Sequence, residues 1–104
     1  MDLNEYQKKC LNTWIGGEKL IRSYLGVCGE AGELSEGAKK YLRGDFDLQE
    51  LKNRSIGELG DVLYYVAVCA HELGLDLNTV GEFNNAKLAK RYAEGKIRGD
   101  GNQR

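Results

Sequence analysis

The fold turns on two stretches, Gly29-Glu30-Ala31-Gly32-Glu33-Leu34 and Glu58-Leu59-Gly60-Asp61-Val62-Leu63, with 24 residues between Glu33 and Glu58. Each carries two carboxylates three residues apart. At 3.6 residues per turn, each pair falls on one side of a helix, one turn apart. Asp61 sits beside Val62 and Leu63, close to an apolar stripe where an unpartnered charge is costly. Four carboxylates on two facing helices make a poor core but a good cage of hard oxygen donors. Mg²⁺ takes such donors and is usually held beside substrate phosphates.

Working outward, the chain reads as four helices, and it contains no proline to interrupt them. Helix 1 opens on an Asp2…Glu5 capping box, carries Leu3, Tyr6, Cys10 and Trp14 at helical spacing, and ends at Gly16-Gly17. Helix 2 is expected from about Glu18 to Leu42, with a near-heptad stripe of Leu20, Tyr24, Val27, Ala31, Leu34, Ala38 and Tyr41. Arg43 to Arg54 reads as a polar connection, with Phe46, Leu48 and Leu51 available to dock. Helix 3, the most apolar, is expected from Ser55 to about Gly74, and helix 4 from a Thr79…Glu82 box to Gly95. The expected fold is therefore all-α: one four-helix domain over residues 1–95, with two long antiparallel central helices, followed by a polar tail over 96–104. With these boundaries the two acidic pairs sit about a turn out of level, a gap the connection can absorb.

Length and composition agree with one small globular domain. The chain has 104 residues, 41% of them hydrophobic and 30% charged. A core of this size is modest, so assembly into a larger oligomeric bundle would help it. A net charge of −1 gives no basic footprint for a nucleic acid polymer. No apolar run is long enough for a membrane, and the start does not resemble a signal peptide, so a cytoplasmic location is expected. Cys10, Cys28 and Cys69 match neither a zinc site nor a disulfide framework and read as small buried hydrophobes.

Gly26, Gly29, Gly32 and Gly37 lie in helix 2, where each costs up to about 1 kcal/mol relative to alanine. They point to close approach by another backbone or by a ligand. Simpler readings exist for the acidic residues: Glu58 three after Ser55 can close a capping box, and Glu36 with Lys39-Lys40 can make Glu33 part of a solvated face. His71, the only histidine, has no second ligand nearby in sequence and reads as structural or exposed.

The paired motifs, with Asn84-x-x-Lys87-x-x-x-Arg91-Tyr92 further on, resemble the MazG-like nucleotide pyrophosphohydrolases, over about residues 24 to 95. These belong to an all-α superfamily that includes dimeric dUTPases. The resemblance implies Mg²⁺-dependent hydrolysis of nucleoside triphosphates to monophosphate and pyrophosphate. It implies Glu30, Glu33, Glu58 and Asp61 as metal ligands and catalytic residues, with Glu33 the favoured acceptor of the water's proton. Arg54, Asn84, Lys87 and Arg91 are implied for substrate phosphates, in a homodimer or a dimer of dimers. Tyr6, Gln7 and Trp14 are candidates to meet the base, although an aromatic stripe at helical spacing is more often core. The glycine-containing tail reads either as a frayed terminus or as a lid in which Lys96 and Arg98 meet phosphates. The alternative is a non-catalytic helical interaction or nucleotide-sensing module. A ferritin-like di-iron site fits less well, because Asp61 stands where histidine is expected.

Overall fold

The computed structural model describes residues 1–96. Among these there are four helices and no strand: α1 (Leu3–Cys10), continued by a 3₁₀ turn (Leu11–Thr13), α2 (Lys19–Leu42), α3 (Leu48–Glu72) and α4 (Leu77–Ala93). The all-α, single-domain expectation therefore holds. Among the described residues, no helix is long and apolar enough to cross a membrane.

Local signals set the boundaries. Asp2 caps α1, its carboxylate accepting from the Glu5 amide at 2.8 Å. Gly44, with φ +84, ends α2, where the Asp45 amide turns back to the Lys40 carbonyl at 3.0 Å. α3 then starts seven residues earlier than the expected Ser55. Asp47 caps it by accepting from the Glu50 amide at 2.9 Å, an Asp…Glu box of the same kind as Asp2…Glu5. The supposed polar connection is thus only residues 43–47, and Glu58 lies well inside the helix rather than closing a capping box. α4 likewise begins two residues before Thr79, because Asp76 caps it through the Thr79 amide at 2.7 Å.

α2 and α3 form an antiparallel hairpin, and α1 crosses α3 and the start of α4. The core lies at that crossing: Cys10, Trp14, Ala67, Val68 and Leu77, with Tyr6, Leu11, Tyr64, Tyr65 and Val66 against it. Gln7 fastens the crossing. Its buried amide donates to the Ala67 and Leu75 carbonyls at 3.0 and 3.1 Å and accepts from the Leu77 amide at 3.0 Å. Only Cys10 is buried; Cys69 is half-buried and Cys28 is exposed, so the reading of all three cysteines as buried is corrected for Cys28.

The hairpin uses only part of the apolar stripe of α2: Val27 and Leu34 are half-buried, and the seam itself is made of smaller residues. Ser23 and Gly37 are the buried residues of that helix, whereas Leu20 and Tyr24 are exposed. Small residues let the axes approach: a Cβ on Gly26 would collide with the Tyr65 ring.

Candidate functional site

The register of the hairpin brings the acidic motifs together. Gly26 meets Tyr65 near one end, and Gly37 meets Leu51 and Glu58 near the other. Stepping four residues from the first contact, in opposite directions along the two helices, sets Glu30 across from Asp61. Three more set Glu33 across from Glu58. Glu33 stands about 14 Å from the end of α2, and Glu58 about 15 Å from the start of α3, at 1.5 Å per residue. The expected mismatch vanishes because α3 begins at Leu48.

Electrostatics agree with that pairing. The Glu30 carboxyl is raised above the ordinary glutamate range, first by partial desolvation, then by the negative charge of Asp61, Glu33 and Glu58. Glu30 therefore feels the other three carboxylates. α1 closes the Asp61 end. The Tyr6 hydroxyl is pushed up to about 12, first by burial and its hydrogen bond with Cys10, and also by the charge of Asp61.

A groove of about 510 Å³ runs from this cluster toward the α2–α3 turn, lined by Gly29, Gly32, Glu33, Glu36, Gly37, Lys40, Arg54 and Glu58. Such a volume is ordinary for a small-molecule site. Its Gly29 and Gly32 wall is open, since a Cβ at either position would meet nothing within 4 Å. The groove is acidic at Glu33 and Glu58 and basic at Lys40 and Arg54, the polarity that a metal-bound polyphosphate needs. Arg54 donates from Nε to Glu50 at 2.8 Å and lies 4.3 Å over the Phe46 ring. A second cavity, of about 440 Å³, is lined by Gln7, Lys8, Leu11, His71, Gly74, Leu75 and Asp76 and has no carboxylate pair.

The four carboxylates suit a hard divalent cation by donor type. Their present rotamers do not converge. Among the described residues, no group of three or more histidine, cysteine or carboxylate side chains could hold an ion as placed. Gathering an ion there requires side-chain rotation.

The other expected substrate residues lie apart from the groove lining. Trp14 is only 5% exposed. It packs edge-on against Tyr64 and Tyr65 under the Arg22 guanidinium, and its indole donates to Glu72 at 3.1 Å. A base cannot stack there without opening the core, and Gln7 is likewise committed to backbone. Asn84 is exposed on α4, Lys87 lies 6.0 Å over Phe83, and Arg91 is buried. Lys96 pairs with Glu94 at 3.3 Å. The rest of the expected lid, Arg98 included, lies outside the described residues. The residue overlooked in the sequence is Lys40. It follows Glu33 by seven and Glu36 by four, which puts it on the same face.

Comparison with known proteins agrees with the hairpin. The family model of the MazG nucleotide pyrophosphohydrolase domain matches residues 19–95, which include α2, α3 and α4. Gene 37 protein of Mycobacterium phage L5 is 42% identical over 82 residues, spanning 77% of this chain and 72% of that protein. No solved structure matches.

Proposed function

The chain belongs to the MazG nucleotide pyrophosphohydrolase family, and from that premise we propose that it hydrolyses (deoxy)nucleoside triphosphates to monophosphate and pyrophosphate with Mg²⁺. The observation that carries this reading is the register that levels Glu30 with Asp61 and Glu33 with Glu58, beside a groove whose far end holds Lys40 and Arg54.

Glu30, Glu33, Glu58 and Asp61 would hold the ion, which when bound would screen phosphate charge and lower the pKa of a bound water. Water attacks the α-phosphorus, the α–β bridging oxygen departs with pyrophosphate, and the water's proton passes to a glutamate. Glu33 and Glu58 both line the groove, and Glu33 is our favoured acceptor of the two. Arg54 and Lys40 offset the charge of the departing pyrophosphate, Arg54 as a planar fork and Lys40 as a point charge. Lys87 and Arg91, four apart on α4, are assigned to substrate phosphates on the family resemblance alone. The active form is a homo-oligomer.

The test is a panel of canonical and modified (d)NTPs with Mg²⁺, with products resolved as monophosphate plus pyrophosphate or diphosphate plus phosphate. Glu30→Gln, Glu33→Gln, Glu58→Gln and Asp61→Asn should each lower kcat by about two orders of magnitude or more, with helicity unchanged. Full activity in two of these variants would remove the assignment.

A further inference from the structure

Arg54 is held more firmly than its exposure requires. Its side chain is 46% accessible, yet two groups fix it: the Glu50 carboxylate accepts from Nε at 2.8 Å, and the guanidinium lies 4.3 Å over the Phe46 ring. Glu50 precedes Arg54 by four residues, so both rise from one face of α3. Phe46 comes from the α2–α3 turn, directly before the Asp47 cap. A half-exposed ion pair of this kind adds little to stability. Bonding through Nε leaves both terminal amino groups of Arg54 for another acceptor. Those groups belong to a side chain that lines the groove with Lys40, Glu33 and Glu58.

We propose that Phe46 and Glu50 are positioning residues that hold Arg54 in the rotamer that grips the pyrophosphate portion of the substrate. The inference rests on the reading of this groove as a triphosphate site, and it deepens that reading by naming what aims its arginine. A free arginine loses considerable rotamer entropy when it closes on phosphate. One already stacked and bonded at Nε loses less, so the preorganisation appears as affinity. The ring acts from the guanidinium face and the carboxylate from its edge, and together they fix the plane of the fork. The α2–α3 turn thereby joins the site through Arg54 without touching substrate itself.

The test is calorimetric binding of inorganic pyrophosphate with Mg²⁺ to the full chain, alongside steady-state kinetics on a nucleoside triphosphate. Phe46→Leu keeps an apolar side chain of similar size and removes the ring. It should weaken pyrophosphate binding roughly three- to tenfold and raise KM with little change in kcat. Phe46→Tyr should restore both, and Glu50→Gln should give a smaller loss of the same kind. In an Arg54→Ala background, Phe46→Leu should have no further effect. The proposal is overturned if Phe46→Leu binds pyrophosphate as the wild type does, or if its loss persists undiminished without Arg54. A wild-type chain that binds pyrophosphate through Phe46 and Arg54, yet hydrolyses no triphosphate, would uphold the clamp and reject the pyrophosphohydrolase reading. A wild-type chain that does not bind pyrophosphate rejects the clamp.

Discussion

Glu30 holds its proton more tightly than a free glutamate, and that has a measurable consequence for the metal-free protein. A raised folded-state pKa means that the folded chain binds more protons than the unfolded chain as pH rises from the ordinary glutamate range to the raised value. Stability contributed by this group is present in full below the unfolded pKa and is lost as pH rises through the folded one. The thermal midpoint without metal should therefore fall across that window. Glu30→Gln should flatten the slope and raise the midpoint at neutral pH while turnover collapses. Mg²⁺ should raise the midpoint of the wild type and barely move that of the variant. A slope of undiminished size in Glu30→Gln would place the effect on another group. The four carboxylates were legible in the sequence because each pair repeats at a helical interval. Lys40 lay in a run of exposed charges, where only its phase relative to Glu33 marks it out. For Trp14 helical spacing leaves core and base contact both open, and burial is decided by α1 crossing α3, which spacing alone does not reveal.

At the scale of elements, the glycines of α2 separate into two kinds. Gly26 is where the helices touch, and a Cβ there would overlap the Tyr65 ring. Gly26→Ala should cost about 1–3 kcal/mol in denaturant unfolding, as overpacking does. Gly32 faces open groove, so Gly32→Ala should stabilise the helix by up to about 1 kcal/mol and yet raise KM by narrowing the wall. If Gly32→Ala leaves KM unchanged, that wall does not face substrate. The start of α3 offers a parallel case. Asp47→Ala removes the cap and should cost about 1 kcal/mol, read as a lower midpoint in urea. The sequence contained this cap, but the polar run from Arg43 to Arg54 resembles a loop more strongly than Asp47…Glu50 resembles a helix start. Starting α3 at Leu48 rather than Ser55 is what removes the one-turn mismatch between the acidic pairs. The seam of the hairpin was hard to read for another reason. It is built from Ser23, Gly26 and Gly37, whereas apolar periodicity points to Leu20 and Tyr24, on a face that α3 leaves uncovered.

For the molecule as a whole, that uncovered face is the main physical problem. The radius of gyration is 16.2 Å, against about 13 Å for a compact domain of roughly this length. Leu25, Ile56, Leu73 and Phe83 are 67%, 78%, 50% and 70% exposed. Two adjoining apolar grooves share Leu75 and Val80, one reaching Phe83 on α4 and the other reaching Leu73 and Val27 across α3 and α2. Isolated surface apolar residues are ordinary, but a continuous patch spanning three helices is not. We propose a second copy of the chain as the occupant of this patch, and isologous packing would extend the hairpin into a larger bundle. The monomer and oligomer readings make opposite forecasts for one pair of variants. Leu73→Lys and Phe83→Lys alter side chains that are already half or more exposed, so in a monomer each should change stability by no more than about 0.5 kcal/mol. If the patch is an interface, each buries a lysine among apolar groups and should split the oligomer, lowering both mass and thermal midpoint. Light scattering at micromolar concentration should find the wild type as a dimer or larger and both variants smaller. A wild-type chain that is monomeric and fully active at that concentration would show that the site is complete within one hairpin.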